Sequence, residues 1–380
     1  MLTRRERLMA TLRGDPVDRP AVNFYEIGGF EINPDDLDPF NIYNDPSWRP
    51  LLQLAEDHTD LIRLRPPVAK DASGGMRDEF VTAEQTIEDG ALFTRTRIEI
   101  NGRTLTSTIR RDPDVGAAWH IERLLKDVDD LKAYLQIPDE VFARAYDTSS
   151  LVSEEQELGE RGIIMVDTED PLCVASELFA MSDYLIVAMT EKELFHALLE
   201  KMARPLHAMA EQVAREYPGH LWRLFGPEYA SEPYLPPNLF EEYVVKYTGP
   251  MVDMIQQNGG FARIHCHGRL RNILPHIAAM GAAALEPIEP PPQGDVELSF
   301  VRKEYGADMV LMGNLEASDI ENLEPLDFEK VVKKSLADGT EGEGRGFVLM
   351  PSACPYGRKV SDRALANYET IVRLATGFAS

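Results

Sequence analysis

Short apolar runs alternate with longer amphipathic segments along almost the whole chain. Each apolar run is followed by polar or Pro/Gly-rich residues, a pattern typical of buried parallel strands covered by helices. The pattern predicts eight strands, at residues 21–25, 60–64, 162–166, 221–225, 262–267, 282–288, 308–312 and 346–350. Eight strand-then-helix units favour an α/β fold, with one (β/α)8 TIM-barrel domain over residues 1–380. An open parallel sheet also fits the pattern.

Two features interrupt this alternation, and both lie between the second and third predicted strands. Residues 92–109 alternate polar and apolar side chains around Asn101-Gly102, a pair suited to the positive φ values of a tight turn. We therefore expect an antiparallel β-hairpin, at about 91–110, inserted into the barrel. Residues 121–135 carry Leu, Asp and Lys at helical spacing and predict a surface helix.

Composition narrows the classes of function. The 380 residues include 64 acidic and 39 basic side chains, a formal net charge of −25, which repels nucleic-acid phosphates and anionic membrane surfaces. The sequence has no apolar run of about 18 residues, and its first seven residues lead into an N-terminal amphipathic helix instead of a secretory core. These features predict a cytoplasmic protein that binds neither nucleic acid nor membrane.

Three cysteines, Cys173, Cys266 and Cys354, are too few for a disulfide framework. Each is therefore either a small buried hydrophobic residue or a ligand or nucleophile.

The strongest chemical signal is the segment Ile264-His265-Cys266-His267-Gly268, at the end of the fifth predicted strand. Residues two apart in a strand point to the same face, so both imidazoles are presented together while Cys266 points away. Two histidines at a barrel mouth form half of a metal site. Paired histidines also occur as hydrogen-bonded core or surface residues, so the pair alone leaves both interpretations open.

Cys354 follows the eighth predicted strand and so belongs to the same rim of the barrel. Two imidazoles and one thiolate suit Zn²⁺, which keeps a fourth position open in catalytic sites. The alternative is an inert thiol packed beneath the loop between Pro351 and Pro355. Glu228 follows the fourth predicted strand, where it is either a fourth zinc ligand or general acid/base, or a solvated loop glutamate.

Further polar residues follow other predicted strands and so share this rim. Tyr25 and Glu289 are candidate catalytic groups, and Glu289 is also placed to hydrogen-bond a ligating histidine. Asp167 and Asn314 are candidates for holding a cofactor or a substrate oxygen. Each of these residues also fits a purely structural role in a loop. The remaining candidates of this kind are Glu26, Asp170, Glu286 and Glu316.

Together these residues resemble the uroporphyrinogen decarboxylase superfamily, which includes the decarboxylase and cobamide-dependent methyltransferases. The likeness spans nearly the whole chain and implies a (β/α)8 barrel, commonly dimeric, with a deep cleft at its C-terminal mouth. It rests on Arg5-Glu6-Arg7-Leu8, on Gly14-Asp15-Pro16-Val17-Asp18-Arg19-Pro20, on Asp170-Pro171, on His265 to Gly268, on Tyr305-Gly306 to Gly313-Asn314-Leu315, and on a closing helix around Asn367.

The two branches of the superfamily have different sequence motifs, and both motifs can be compared with this chain. The decarboxylase branch has Arg-x-Ala-Gly-Arg after its first strand, where this chain reads Tyr25-Glu26-Ile27-Gly28-Gly29-Phe30. Both arginines are missing, and Glu26 would repel the carboxylates of a tetrapyrrole. The methyltransferase branch has a zinc site of the form His-x-Cys plus a distant Cys. This chain matches it at His265 and Cys354 but has His267 in place of the middle Cys, which would leave zinc a stronger Lewis acid.

The resemblance thus implies a zinc-dependent methyltransferase. It would move a methyl group between a small methoxylated or thiol substrate and a corrinoid carried on a partner protein, with zinc on His265, His267 and Cys354. Glu228, placed by its strand, would be a fourth ligand or an acid. Two alternatives remain. One is a metal-free decarboxylase or lyase acting on another carboxylated substrate, with the histidines as acid and base. The other is a non-catalytic barrel that binds a small ligand or tetrapyrrole.

Overall fold

The computed structural model describes residues 1–30, 32–70 and 80–378. No helix in these ranges is both long enough and apolar enough to cross a bilayer. The strands are β1 Ala21–Val22, β2 Leu61–Arg65, β3 Val68–Ala69, β4 Val81–Glu88, β5 Ala91–Ile100, β6 Arg103–Arg111, β7 Ala118–Glu122, β8 Tyr146–Asp147, β9 Gly162–Glu169, β10 Leu221–Phe225, β11 Phe261–Cys266, β12 Ala284–Pro287, β13 Val310–Leu315 and β14 Phe347–Pro351.

The helices begin with α1, which is the predicted N-terminal helix, and most of the later ones cover the barrel. They are α1 Arg4–Arg13, α2 Arg49–His58, α3 Val128–Leu135, α4 Ser149–Leu158, α5 Pro171–Ser176, α6 Met181–Thr190, α7 Lys192–Glu216, α8 Pro237–Phe240, α9 Lys246–Gln257, α10 Leu274–Ala279, α11 Leu298–Tyr305, α12 Ala317–Asn322, α13 Pro325–Thr340 and α14 Asp362–Thr376.

Eight parallel strands curl into the barrel in the order β1, β14, β13, β12, β11, β10, β9, β2. Within the described residues, no strand ladder joins β1 to β2. Isolated hydrogen bonds bridge this seam between β1 and β2 instead. The Asp60 amide donates to the Val22 carbonyl at 2.7 Å, and the Leu64 amide donates to the Gly29 carbonyl at 2.8 Å. The predicted TIM-barrel-like α/β fold is therefore confirmed.

Each predicted barrel strand has a counterpart, and β10 begins and ends at the predicted residues, Leu221 and Phe225. The largest shift is at β13, which spans Val310–Leu315 instead of 308–312. The shortest barrel strand is β1, which covers only Ala21–Val22 of the predicted 21–25. Tyr25 has a φ of 55°, a left-handed conformation that bulky residues rarely adopt and that no strand accommodates. The chain therefore turns out of the sheet before the end of the apolar run.

The inserted hairpin is confirmed and is part of a larger sheet. β5 and β6 pair around Asn101 and Gly102, whose φ values are 49° and 79°. β4 and β7 extend the hairpin to a four-stranded antiparallel sheet in the order β4, β5, β6, β7.

The predicted helix at 121–135 was wrong in its first half. Residues up to Glu122 belong to β7, and α3 begins only at Val128. The Asp127 side chain accepts a hydrogen bond from the Asp130 amide and caps the helix there. Pairing of β7 with β6 outweighs the helical spacing of the residues before this cap, as tertiary context often does.

Replacing Gly102 with Ala is expected to destabilise the protein by about 1 kcal/mol, because only glycine adopts a positive φ without cost. A Cβ at Gly102 meets no atom within 4 Å, so the cost is conformational and not steric. The midpoint of urea unfolding measures the loss. Glu99→Ala, at an exposed position on the neighbouring strand, is the control and should shift stability by less than about 0.5 kcal/mol. An equal loss in both variants would contradict the turn argument.

A buried ionic cluster fastens α1 to the seam between β1 and β2. The fully buried carboxylate of Asp60 accepts from Arg7 Nη1 at 2.6 Å and from Arg19 Nη1 at 2.9 Å. It also accepts from the backbone amide of Val22 at 2.9 Å. Arg7 in turn donates to both carboxylate oxygens of Asp18. Two arginines and a β1 amide therefore depend on one carboxylate.

The inserted sheet is joined to the barrel rim at the loop that follows β14. The Gly116 amide donates to the Tyr356 carbonyl at 2.8 Å, and the Arg358 amide donates to the Asp114 carbonyl at 3.0 Å. The Arg358 side chain adds a hydrogen bond to the Pro113 carbonyl at 2.8 Å. The loop between β6 and β7 thus holds the loop that carries Cys354.

Candidate active site

Polar side chains collect at the carboxyl ends of the barrel strands, the end at which TIM-barrel enzymes carry their active sites. The order of the strands around the barrel fixes the order of these side chains on the rim. Passing from β10 through β11, β12, β13 and β14 to β1, they are Glu228, His265 and His267, Glu286 and Glu289, Glu316, Cys354, and Tyr25 and Glu26.

His265 is held from two sides. The strand register sets it beside Glu286 of β12, and its Nδ1 is hydrogen-bonded to Oε2 of that residue. The Tyr25 ring stacks on the imidazole, with centroids 5.9 Å apart and planes at 20°. Since a carboxylate only accepts, Nδ1 donates this hydrogen bond, and within the described residues Nε2 has no hydrogen-bond partner.

His267 has the same kind of partner. Its Nδ1 lies 2.8 Å from Oε1 of Glu289, whose Oε2 accepts from the Gly268 amide at 2.7 Å. Burial acts to lower the pKa of His267, but the hydrogen bond and charge of Glu289 outweigh it and raise that pKa to about 9. The two imidazoles are perpendicular, with centroids 4.6 Å apart.

A charged pair beneath His265 keeps its partner ionised. Glu286 and Arg263 are both almost fully buried, and Arg263 Nη2 lies 3.3 Å from Glu286 Oε2. Burial acts to raise the pKa of Glu286, yet His265 and Arg263 together lower it to about 2. Glu286 is therefore a carboxylate that orients His265.

Arg223 and Arg263, which precede the rim residues on β10 and β11, form what we call the floor of the site. Nε and Nη2 of Arg223 donate to the two oxygens of Asp167 at 2.6 and 2.8 Å, and its Nη1 donates to the Tyr25 hydroxyl. The guanidinium also lies over the rings of Tyr25 and Phe225, at 5.4 and 5.1 Å from their centroids. This network fixes the Tyr25 ring against His265 and engages both oxygens of Asp167.

Cys354 pairs with a different part of the rim. Its buried thiol donates to Oε2 of Glu26, with 3.3 Å between the sulfur and the oxygen. Burial and the charge of Glu26 raise the pKa of this thiol far above its ordinary value. Within residues 1–30, 32–70 and 80–378, no three His, Cys, Asp or Glu side chains are grouped closely enough to hold a metal ion. Cys354 is thus on the expected rim but not gathered with the histidines.

Glu228 and Asn314 differ in how close they lie to the histidines. Glu228 lies in the turn after β10, accepts from the Gly226 amide at 3.2 Å and interacts electrostatically with His267. Asn314 instead accepts a hydrogen bond from Ser335 of α13 at 2.7 Å. The structure therefore brings Tyr25, Asp167 and Glu289 together with the histidine pair, keeps Glu228 within electrostatic reach, and engages the Asn314 carbonyl with a covering helix.

Sequence reasoning missed the two arginines of the floor. Arg223 interrupts the apolar run Leu221-Trp222-Arg223-Leu224-Phe225, and Arg263 lies two residues before His265 on the same face of β11. A charge inside a buried strand is rare unless it is paired. An arginine inside a buried apolar strand was therefore the sequence feature that could have identified these two residues.

The histidine pair has the donor chemistry of a zinc site. Metal-ligating histidines commonly donate the second ring N–H to a carboxylate, as both do here. Within the described residues, Nε2 of neither imidazole has a hydrogen-bond partner, so both face a possible ligand. Because the pKa of His267 is raised to about 9, zinc would have to displace a proton from Nε2 of that residue. The two imidazoles therefore fit a zinc ion, whereas Cys354 would first have to give up its hydrogen bond to Glu26.

Comparison with known proteins gives the chain a family. No curated protein sequence matches it. A methyltransferase from Methanosarcina mazei has a similar structure, with a TM-score of 0.59 and 15% identity over 99% of both chains. A D-psicose 3-epimerase aligns over 60% of this chain and 82% of its own, with a TM-score of 0.32 and 11% identity. Residues 104–357, more than half of the chain, match the sequence pattern of the uroporphyrinogen decarboxylase (URO-D) family, and the protein therefore belongs to that family.

Proposed function

We propose that this protein is a methyltransferase whose active site is the barrel mouth around His265 and His267. It would move a methyl group between a small methoxylated or thiol substrate and a corrinoid held by a partner protein. The observation that carries this proposal is the pair of imidazoles, each with its Nδ1 held by a carboxylate and with no hydrogen bond to its Nε2 from the described residues. Membership of the URO-D family supports an enzyme.

Two further findings support the methyltransferase assignment over decarboxylation of a tetrapyrrole. The Methanosarcina methyltransferase shares this fold along its whole length. Glu26 follows the first strand, where the decarboxylase motif has arginine, and it accepts a hydrogen bond from Cys354. A carboxylate at that place repels a substrate that carries several carboxylates.

Zinc is part of the proposal, with His265 and His267 as ligands and Cys354 and Glu228 as the third and fourth. When bound there, zinc would polarise a donor oxygen or lower the pKa of a thiol substrate. The chain's own groups have separate tasks. Glu286 and Glu289 orient the imidazoles, Tyr25 and Arg223 hold the floor rigid, and the Cys354 thiol would transfer its proton to solvent or Glu26 on ligation.

Elemental analysis of the untagged protein, together with a methyl-transfer assay, tests the proposal. The assay supplies methoxylated aromatic compounds as donors and reduced free cobalamin as acceptor. We expect about one zinc per chain and methylated cobalamin as product. Protein without metal or transfer would contradict the proposal and turn attention to a metal-free decarboxylase or to a ligand-binding barrel.

A further inference from the structure

Glu316 is a carboxyl residue at the barrel rim that has no role in the proposed function. It directly follows β13, which lies between β12 and β14 in the barrel. On the rim it therefore stands between Glu289, the partner of His267, and the loop that carries Ser352 and Cys354. Only 7% of Glu316 is exposed.

The surroundings of Glu316 do little to stabilise a negative charge. Its Oε2 accepts one long hydrogen bond, 3.4 Å, from the Ser352 hydroxyl, which itself accepts from the Ala317 amide. Its Oε1 is buried, and within the described residues it has no hydrogen-bond partner. A carboxylate taken out of water with so few donors is costly, whereas a neutral carboxylic acid is not.

Neighbouring charges act in the same direction. Burial is the largest cause and, with the charges of Glu289 and Asp319, raises the pKa of Glu316 to about 7; Ser352 and His267 oppose this weakly. Glu289 is already held as a carboxylate by His267 and the Gly268 amide. Of the two neighbouring carboxyls, Glu316 is therefore the one that keeps the proton.

We propose that Glu316 is the general acid of the reaction and protonates the oxygen that leaves an O-methyl donor. This inference rests on the proposed function and names its donor class as methyl ethers. The carbon–oxygen bond breaks with its electron pair remaining on the oxygen, which takes the Glu316 proton. The methyl group passes to the reduced corrinoid acceptor, which supplies the electron pair of the new bond. Solvent then returns a proton to Glu316.

The inference also sets the direction of transfer. Release of an alkoxide or phenolate consumes a proton, and a positioned acid accelerates that step. Methylation of a thiol releases a proton and requires a base. A neutral acid beside the histidine pair fits the first reaction, in which the ether is the donor and the corrinoid the acceptor.

Infrared spectroscopy tests the proton without an activity assay. The difference spectrum of wild type minus Glu316→Gln should contain a protonated-carboxyl band at pH 6 that disappears by pH 9. Glu324→Gln, at an exposed position directly before α13, is the control and should leave that band in place. A Glu316→Gln spectrum that still contains the full band would overturn the inference.

A leaving-group series tests the catalytic role. With reduced cobalamin as acceptor, Glu316→Gln should slow transfer from methoxybenzene by about 10²- to 10³-fold. Transfer from 4-cyanomethoxybenzene, whose phenolate needs less protonation, should change much less. Zinc content should stay at the wild-type value, and its loss would make Glu316 a ligand and not an acid.

The two proposals fail in different ways. Wild-type protein that transfers methyl groups, with a Glu316→Gln variant equally slowed for both ethers, would overturn the role of Glu316 alone. Wild-type protein that transfers no methyl from any ether would overturn the proposed function together with this role.

Discussion

His267→Ala is expected to remove zinc and to lower methyl transfer by more than the roughly 10- to 100-fold that loss of an outer-shell partner costs. The substitution deletes one of the two imidazoles proposed as zinc ligands, and within the described residues it leaves Glu289 with the Gly268 amide as its remaining donor. Elemental analysis and initial rates of cobalamin methylation measure the two effects. Thermal unfolding shows whether the variant is folded, since His267 is only partly buried and its loss should leave the barrel intact.

Two variants calibrate this result. His58→Ala, an exposed histidine at the end of α2, should keep both zinc and activity. Glu289→Gln retains the His267 imidazole but weakens its orientation, so its loss should lie in the range of about 10- to 100-fold. If His267→Ala kept wild-type zinc and rates, the histidine pair would not be the metal site.

Asp60→Ala should lower the free energy of unfolding by about 3 to 5 kcal/mol, the cost of leaving buried charges without their partner. Arg7 and Arg19 both donate to this carboxylate, and so does the Val22 amide of β1. Alanine removes the acceptor of the Val22 amide and of Arg7 Nη1, and it leaves Arg19 Nη1 with the Pro20 carbonyl alone, beside the seam that single hydrogen bonds close. Urea denaturation followed by circular dichroism measures the loss.

Asp57→Ala is the matched control, because Asp57 lies on α2 and its partner is the exposed side chain of Gln53. Its effect should stay within about 0.5 kcal/mol of wild type. Similar stabilities for Asp60→Ala and Asp57→Ala would mean that the cluster does not fasten α1 to the barrel.

The barrel was readable from the sequence because parallel strands buried on both faces are contiguous apolar runs. β10 was bounded correctly at both ends, whereas β1 was not, because its end depends on the left-handed backbone of Tyr25. Ile121 and Glu122 fall within the predicted helix but form the end of β7. Their conformation depends on pairing with β6, which lies outside the local pattern.

The sequence predicted which residues lie at the barrel rim, but not which side chains they contact. Strand ends place Tyr25, His265 and Cys354 on one rim, and the structure has them there. Which group each side chain contacts depends on distances across the barrel, which no spacing in the sequence encodes. Cys354 therefore has Glu26 as its partner instead of the histidines, and the Asn314 carbonyl has Ser335.

The pairing of β1 with β14 has a consequence for how the protein folds. Cys354 and Glu26, which meet where these two strands adjoin, are 328 residues apart in sequence. Bringing such distant segments together costs conformational entropy, because a long loop must be closed, and folds rich in non-local pairings form slowly. Enzymatic activity should therefore return late in refolding, after most of the helical circular dichroism signal. The recovery of activity would then report the pairing of β1 with β14.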